Sequence, residues 1–177
     1  MKAELRKTFL FRRNSLSLER RQEAALGLAQ RIDLLKKYFD RIASFHSMKY
    51  EINLTLINQS LAAENRLLLP RRTSDSHLQY YLVSNLTNQM EKCGQLWEPD
   101  PTRCSAATLT KNDCLLIPGL AFDQNNDRLG LGGGFFDRFL FRHPGLYAVG
   151  IGFFEQRSIE PLPRDPWDQS LSDVFYF

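Results

Sequence analysis

The sequence predicts an α/β fold with a mainly parallel central sheet flanked by helices, and three observations support this prediction. Apolar residues recur at helical spacing over segments of about ten or more residues. Short continuous apolar runs at residues 114–117 and 147–151 are typical of strands that are buried on both faces. Strand and helix patterns alternate along the chain, as they do when helical crossovers join parallel strands. We therefore expect a Rossmann-like three-layer arrangement in one domain over residues 1–177.

The first predicted element is a helix from Lys2 to about Arg13, because apolar residues recur at positions 5, 9 and 10. Ser17 is a suitable N-cap for a second helix, in which apolar residues at positions 25, 28, 32 and 35 form a stripe. Both helices are predicted to be amphipathic and to lie at the surface. The other elements predicted for this half are a strand at 41–45, a helix at 53–65 and a strand at 66–69 that Pro70 ends.

The second half of the chain is predicted to contain strands separated by one longer helix and by polar loops. No internal repeat or low-complexity linker interrupts it. In chain order we predict a strand at 79–84, a short helix or turn at 89–94, a loop at 99–108, a strand at 114–117 that Pro118 and Gly119 end, a helix through 136–140, a strand at 147–151 and a final strand at 174–177.

Length and composition agree with a globular α/β domain. The chain has 177 residues, enough for one domain with a substantial core. Its apolar fraction of 43% and charged fraction of 24% argue against a disordered, collagen-like or disulfide-stapled chain. The three cysteines show no metal-ligand spacing and are interpreted as reduced thiols. The longest apolar run is shorter than the ~20 residues of a membrane span, so we expect a cytoplasmic protein with no membrane partner.

Charge and glycine are distributed unevenly along the chain. The net charge is only +3, yet residues 1–21 hold seven Lys or Arg against two Glu. Five of the ten glycines lie between Gly119 and Gly134. A nucleic-acid-binding module built on the basic segment is one hypothesis. It ranks last, because the segment lacks interleaved exposed aromatic residues, and we expect no nucleic-acid partner.

The glycine-rich segment is the most informative part of the sequence for function. Arg128 precedes Gly130, Gly132, Gly133 and Gly134, and a helical pattern follows directly. Glycines before a helix allow successive backbone N–H groups to converge on an anion, to which the helix N-terminus adds partial positive charge. The segment fits neither a Walker loop nor a dinucleotide fingerprint. The spacing favours phosphate binding, with a tight turn that only permits close packing as the alternative.

Several segments together resemble a known family. Residues 128–140 read R-L-G-L-G-G-G-F-F-D-R-F-L, and P-G-L-A-F-D precedes them at 118–123. K-A-E-L-R at 2–6, S-M-K-Y-E-I at 47–52, L-P-R at 69–71 and the stretch from Pro163 through Trp167 to Asp168 agree in order and spacing. Together they resemble the 5-formyltetrahydrofolate cyclo-ligase (5,10-methenyltetrahydrofolate synthetase) family over essentially the whole chain.

The resemblance implies an enzyme that uses ATP and Mg²⁺ to close 5-formyltetrahydrofolate into 5,10-methenyltetrahydrofolate, with release of ADP and phosphate. It implies ATP contacts from Lys2, Arg6, Arg128, Leu129, Gly130, Leu131, Gly132, Gly133, Gly134, Phe135 and Phe136. It implies folate contacts from His46, Glu51, Gly132, Gly133, Gly134 and Phe135, with Arg71 and Trp97 as further pocket candidates. Arg128 and Asp137 are the implied catalytic residues, and Asp137 and Asp168 the implied Mg²⁺ ligands, with Asp165 left open as the alternative to Asp168.

One departure from the family bears on activity. Phe135 and Phe136 stand where the family usually carries a Tyr-Tyr pair. If a missing hydroxyl made one ordinary hydrogen bond, its loss costs about 0.5–1.5 kcal/mol, which weakens activity several-fold without abolishing it. The alternative is a non-catalytic or weakened relative that binds folate or nucleotide. We expect a monomer whose partners are ATP and 5-formyltetrahydrofolate.

Overall fold

A seven-stranded sheet runs through the centre of the protein in the computed structural model, which describes residues 1–94 and 96–177. Four α-helices and two short hairpins surround this sheet. In chain order the elements are α1 (Lys2–Asn14), α2 (Leu18–Leu35), β1 (Arg41–Ala43), α3 (Thr55–Ala63), β2 (Leu67–Arg72), β3 (Leu78–Leu82), β4 (Met90–Cys93), β5 (Leu96–Pro99), β6 (Ser105–Ala107), β7 (Asp113–Pro118), β8 (Ala121–Phe122), β9 (Arg128–Leu129), α4 (Phe135–Arg142), β10 (Tyr147–Gly152), a single 3₁₀ turn (Phe154–Gln156) and β11 (Asp173–Tyr176).

The central sheet is mainly parallel, as the sequence predicts. Its strand order is β11-β10-β7-β1-β2-β3-β6. The pairings from β11 to β2 are all parallel, and β3 and β6 add two antiparallel strands at one edge. The predicted apolar runs form the middle of this sheet, where β7 pairs with β1 on one side and β10 on the other. Leu115, Leu116 and Ile117 are fully buried there, which accounts for the continuous apolar run.

The helices cover both faces of the sheet, which confirms the three-layer arrangement. Leu28 and Ile32 of α2 and Leu61 of α3 pack with one face of the sheet. Phe139 and Leu140 of α4 pack with the opposite face. Helix α1 joins neither layer, because it packs through Leu5 and Phe9 against the β8–β9 hairpin at one end of the sheet.

Local residue preferences explain where the helices begin. The Ser17 hydroxyl accepts a hydrogen bond from the Arg20 amide at 3.1 Å and so caps α2, as predicted. Helix α4 begins after Gly134, whose φ of 65° lies in the left-handed region that favours glycine. The glycine run therefore ends where the helix starts.

Pro70 does not end β2, and this prediction is wrong. The Val83 amide donates to the Leu67 carbonyl at 3.0 Å, so in an antiparallel ladder Pro70, opposite Tyr80, falls at a position without hydrogen bonds to β3. On the other side β1 pairs only as far as Leu68. No neighbouring strand needs the N–H that proline lacks, so β2 continues to Arg72.

Two further predictions in the same region are wrong. Residues 89–94, predicted as a short helix or turn, contain strand β4, which pairs antiparallel with β5. Residues 99–108, predicted as a loop, contain the edge strand β6, which pairs with β3. Both strands are short and depend on long-range pairing, which local spacing does not show. Within the described ranges, no helix has the length and apolar character that crossing a membrane requires.

Candidate active site

A cleft of about 380 Å³ opens at the carboxyl ends of the central parallel strands. Its lining includes Phe45 and His46 shortly after β1, Pro70 and Arg72 of β2, and Pro118 and Gly119 at the end of β7. Small-molecule sites commonly enclose about 300–1,000 Å³, so this cleft is large enough for at least part of a nucleotide or a folate.

Topology explains why the cleft forms at this place. The crossover from β1 to β2 contains α3 and covers one face of the sheet, whereas the crossover from β7 to β10 contains α4 and covers the other. Because β1 and β7 are neighbours, the two crossovers diverge between them. Ligands of open α/β sheets bind outside the carboxyl ends of the strands at such a switch point.

Leaving aside the pocket candidates Arg71 and Trp97 and the alternative metal ligand Asp165, every residue that the sequence analysis assigned to ATP, folate or metal lines this one cleft. The set comprises Lys2, Arg6, His46, Glu51, Arg128, Leu129, Gly130, Leu131, Gly132, Gly133, Gly134, Phe135, Phe136, Asp137 and Asp168. They come from α1, from the segment after β1, from the glycine loop with the start of α4, and from the segment before β11. The fold therefore brings together residues that are up to 166 positions apart.

The glycine loop, residues 130–134, forms one wall of the cleft. Gly132 has a φ of 106° and Gly134 a φ of 65°, so both occupy backbone conformations that other residues rarely adopt. A Cβ atom on Gly130 would lie 2.8 Å from a nitrogen of the Arg128 guanidinium, so any larger residue at this position would require that guanidinium to move. Arg6 fixes the loop from the other side, because its Nε donates to the Gly130 carbonyl at 2.9 Å.

Arg128 lies under the glycine loop and holds the start of α4. Its side chain is only 6% exposed and donates to Asp137 Oδ2 at 2.9 Å and to the Pro118 carbonyl at 3.3 Å. Its guanidinium lies 5.6 Å from the centre of the Phe136 ring. Its Nε has no hydrogen-bond partner among the residues that the structure describes. A buried cation with a spare donor beside a glycine loop favours an anionic ligand.

Lys2 closes the opposite side of this anion-binding region. Its ammonium group donates to Asp165 Oδ2 and Asp168 Oδ2, each at 2.6 Å. Burial lowers the pKa of Lys2, but the bonds to the two carboxylates outweigh it and leave that pKa above its usual value. Burial likewise raises the pKa of Asp168. The hydrogen bond from Lys2 and the positive charge of Arg128 lower it, and the pKa of Asp168 ends below its usual value.

Asp137 and Asp168 both line the cleft, and the contacts around them bear on whether this site fits a divalent cation. The backbone amide of Gln169, next to Asp168, donates to Asp137 Oδ1 at 3.4 Å. Carboxylate oxygens are the donors that Mg²⁺ prefers, and protein Mg²⁺ sites commonly use one or two carboxylates plus substrate phosphates. No cluster of three or more His, Cys, Asp or Glu suited to a metal occurs in residues 1–94 and 96–177. The residues thus fit Mg²⁺ as a partner of a bound phosphate.

The other half of the cleft centres on Glu51, whose side chain is 9% exposed. Its Oε1 accepts from Arg13 at 3.3 Å, and its Oε2 accepts from the Met48 amide at 2.9 Å. Burial raises the pKa of Glu51 above its usual value despite both bonds. Burial also lowers the pKa of His46, so its imidazole is neutral at neutral pH. Phe45, Leu78 and Trp97 add apolar surface to this half.

One pocket candidate is wrong and several lining residues were missed. Arg71 does not line the cleft but bonds to Glu91 and to the Pro99 carbonyl, because successive strand residues point to opposite faces. The neighbouring Arg72 lines it and donates to Glu98 at 2.6 Å. Trp97 lines the cleft as proposed. The missed residues include Arg13 and Trp167, and of these only Arg13 had a usable signal, since it shares a helix face with Lys2 and Arg6. Asp165, left open as the alternative to Asp168, also lines the cleft.

The fold and the cleft define an enzyme of the α/β class with one composite site for small molecules. The model of the 5-formyltetrahydrofolate cyclo-ligase family matches residues 1–177, and the chain belongs to that family. The 5-formyltetrahydrofolate cyclo-ligase of Escherichia coli K12 is 31% identical over 92% of this chain and 93% of its own. That of Haemophilus influenzae is 28% identical over 98% of this chain and 94% of its own.

Solved structures show the same fold. The NMR structure of Aquifex aeolicus 5,10-methenyltetrahydrofolate synthetase superimposes with a TM-score of 0.82 at 29% identity, covering 98% of this chain and 88% of that one. A 5,10-methenyltetrahydrofolate synthetase from Mycoplasma pneumoniae gives a TM-score of 0.74 at 23% identity, covering 98% and 96%. The three-layer architecture is therefore that of this family.

Proposed function

We propose that the cleft catalyses the ATP- and Mg²⁺-dependent cyclisation of 5-formyltetrahydrofolate to 5,10-methenyltetrahydrofolate, with release of ADP and phosphate. One observation carries the proposal: a single cleft joins a glycine loop flanked by three cations to a buried carboxylate among apolar side chains. The first half suits a polyphosphate, and the second suits a flat ring with N–H donors. A reaction between the two ligands needs both halves in one cavity.

ATP occupies the half formed by the glycine loop in this proposal. Lys2 and Arg6 are one helical turn apart on α1, so both reach the loop from the same side. Arg128 approaches from beneath the loop. Phosphate oxygens replace the carboxylates that Lys2 contacts and take the spare Nε donor of Arg128.

Asp137 and Asp168 hold Mg²⁺ beside those phosphates, where the ion supplies neutralisation of the charge that develops during phosphoryl transfer. Asp168 is favoured over Asp165 because the side chain of Asp168 is 20% exposed, that of Asp165 45%. The Gln169 amide also ties the segment after Asp168 to Asp137. This backbone contact holds the segments that carry the two proposed Mg²⁺ ligands next to each other.

The folate ring occupies the half around Glu51. The carboxylate of Glu51 accepts hydrogen bonds from the donors along the pterin edge, while His46 and Phe135 contact the ring face. Phe45 and Trp97 add apolar surface against which the ring can pack. The formyl group then points toward the glycine loop, which both substrates share.

The proposed reaction has two steps. The formyl oxygen attacks the terminal phosphorus of ATP, the bond from that phosphorus to the bridging oxygen breaks, and ADP leaves. N10 then attacks the activated formyl carbon and loses its proton, and phosphate departs with the former formyl oxygen, which leaves the methenyl bridge between N5 and N10. Such a sequence asks the protein for positioning and charge neutralisation, which Arg128 and the loop amides supply.

The alternative function is binding of folate or nucleotide without turnover. Phe135 and Phe136 favour it, because neither ring carries the hydroxyl that the family usually places there. Both rings are held beside a guanidinium, Phe135 at 5.2 Å from Arg138 and Phe136 at 5.6 Å from Arg128. Both phenylalanines line the cleft, so either function can use their aromatic surface.

An absorbance assay separates the two functions. Purified protein with 5-formyltetrahydrofolate, ATP and Mg²⁺ is expected to build up the near-ultraviolet absorbance of the methenyl product, and the reaction without ATP is the matched blank. Calorimetric binding of 5-formyltetrahydrofolate with no absorbance rise at high enzyme concentration contradicts the cyclo-ligase proposal and supports the binding alternative.

The setting proposed for this reaction is the cytoplasm, with the enzyme as a monomer. Cys93, Cys104 and Cys114 are all free thiols, as a reducing compartment requires. All proposed ligand contacts come from one chain. Sedimentation of the purified enzyme at assay concentration tests the monomer.

A further inference from the structure

Arg13 is a buried cation that neither the family resemblance nor the two-step chemistry uses. It lies in the last turn of α1 and lines the cleft, although its side chain is only 4% exposed. Its one side-chain partner within the described residues is Glu51, through Nη1 at 3.3 Å, and its Nε has none. A buried arginine with so few bonds calls for an explanation.

Helix geometry places Arg13 in register with the proposed ATP contacts. At 100° per residue, Lys2, Arg6 and Arg13 lie within about 40° of one another on the helix circumference. Arg6 contacts the glycine loop and Lys2 contacts the segment before β11, whereas Arg13 contacts the segment after β1. One face of one helix therefore serves both halves of the cleft.

We propose that Arg13 is a positioning residue for the folate, which holds Glu51 as an oriented carboxylate toward the ring. The inference rests on the proposed function, because it takes Glu51 to contact that ring. Arg13 bonds to one carboxylate oxygen and the Met48 amide to the other. Each oxygen keeps a lone pair, so the carboxylate can still accept from two neighbouring N–H donors.

Burial makes this support necessary. A carboxyl group in an apolar site takes up a proton unless a positive charge or hydrogen bonds stabilise its charged form. Burial already raises the pKa of Glu51, and the charge of Arg13 opposes that shift. A protonated Glu51 presents a donor in place of an acceptor and cannot accept two hydrogen bonds in the same way.

The other charged groups near this pair do not replace Arg13. Arg21 on α2 lies close enough to oppose the charge on Arg13, but its guanidinium bonds to backbone carbonyls of Arg13 and Lys49 at 3.4 and 3.5 Å. The ammonium of Lys49 lies 5.2 Å from the centre of the Tyr50 ring. His46 is neutral at neutral pH because burial lowers its pKa.

The test compares Arg13→Gln and Arg13→Lys with Arg12→Gln, an exposed arginine of the same turn. We expect Arg13→Gln to raise the KM for 5-formyltetrahydrofolate about 10–100-fold, since a charged hydrogen bond is lost, and to leave the KM for ATP within about twofold. The acid limb of kcat/KM for folate is expected to move to higher pH, because Glu51 then protonates more readily. Arg13→Lys keeps the charge, so its acid limb is expected to lie close to that of the unmodified enzyme. Arg12→Gln is expected to change neither the KM for 5-formyltetrahydrofolate nor the position of the acid limb.

A double variant separates a positioning role of Arg13 from a structural one. Arg13→Gln/Glu51→Gln is expected to bind folate no more weakly than Glu51→Gln alone, because the two residues act through one contact. An unshifted acid limb in folded Arg13→Gln overturns the inference, as does an equal rise in both KM values. If Arg13→Gln does not fold, the double variant decides, because it leaves no buried carboxylate unpaired, and weaker folate binding in it than in Glu51→Gln alone overturns the inference. Absence of turnover in the unmodified enzyme instead contradicts the proposed function.

Discussion

The two ends of helix α1 hold cation–carboxylate pairs of opposite character. Lys2 contacts Asp165 and Asp168 at 2.6 Å, and these three side chains are 22%, 45% and 20% exposed. Arg13 contacts Glu51 at 3.3 Å, and these side chains are 4% and 9% exposed. Pairs in full contact with solvent contribute about 0–1 kcal/mol, whereas breaking a buried pair costs about 3–5 kcal/mol, and the Lys2 pairs lie nearer the first case than the Arg13 pair does. We therefore expect the Lys2 end to exchange its partners for a ligand and the Arg13 end to keep its pair.

This difference matches what the two proposed ligands require. A nucleotide brings its own negative charge, so Lys2 can leave its carboxylates for phosphate oxygens at little cost, and Asp168 then becomes available to a cation. A pterin ring brings neutral N–H donors, which need an acceptor that is already charged and oriented. We therefore expect the nucleotide half to rearrange on binding and the folate half to stay in place.

The largest expected effect comes from Asp137, which joins the Arg128 guanidinium to the proposed metal position. Asp137→Asn keeps the shape and an oxygen acceptor for Arg128 but removes a charge next to the phosphates. We expect turnover to fall at least about 100-fold, as when a preorganised charge is removed from a reacting centre. Steady-state rates measure this fall in turnover, and circular dichroism checks that the variant folds like the unmodified enzyme.

Asp33→Asn is the matched control for that variant. Asp33 pairs with Lys36 on the surface of α2, and its side chain is 71% exposed. The control is expected to turn over at the unmodified rate. An Asp137→Asn enzyme that keeps more than about a tenth of the activity rejects the role of Asp137 in transition-state stabilisation.

An intermediate effect is expected at Lys2. Lys2→Met removes a cation that we place on ATP, so the KM for ATP is expected to rise about tenfold while the KM for folate stays within about twofold. Lys7→Met is the control, because Lys7 is 79% exposed and pairs only weakly with Glu4 at 3.8 Å. Equal changes in both KM values mean that the two ends of α1 do not act separately.

The smallest effect is expected at the two phenylalanines. Restoring a hydroxyl in Phe135→Tyr or Phe136→Tyr adds at most one ordinary hydrogen bond, about 0.5–1.5 kcal/mol. The kcat/KM for 5-formyltetrahydrofolate is therefore expected to rise no more than about tenfold. A larger rise in kcat/KM, with a barely detectable rate in the unmodified protein, assigns the chemistry to the missing hydroxyl. That result supports the alternative in which the unmodified protein only binds its ligands.

Much of the fold and the site follows from local features of the sequence. The apolar runs of β7 and β10, the Ser17 cap and the glycine loop before α4 are each specified by neighbouring residues, and all were predicted. The family resemblance supplied the residues of both halves of the cleft, which then proved to line one cavity.

What the sequence did not reveal depends on contacts between distant residues. The β4–β5 hairpin has no alternating pattern, and the bond from Arg72 to the buried Glu98 ties it to β2 across 26 positions. Arg13 and Glu51 are 38 positions apart, so the helix pattern of α1 gave no indication of its partner. Pro70 was misplaced because its tolerance depends on the hydrogen-bonding register with β3 and on where β1 ends.

The central claim is that the two halves of the cleft bring the formyl oxygen of folate to the terminal phosphate of ATP. The most direct test uses 5-formyltetrahydrofolate that carries ¹⁸O in its formyl group, with unlabelled ATP and Mg²⁺ in unlabelled water. Mass spectrometry of the released phosphate is expected to show one ¹⁸O for each methenyl product formed. Unlabelled phosphate beside that product would contradict the account, because the formyl oxygen would then have left without meeting the nucleotide.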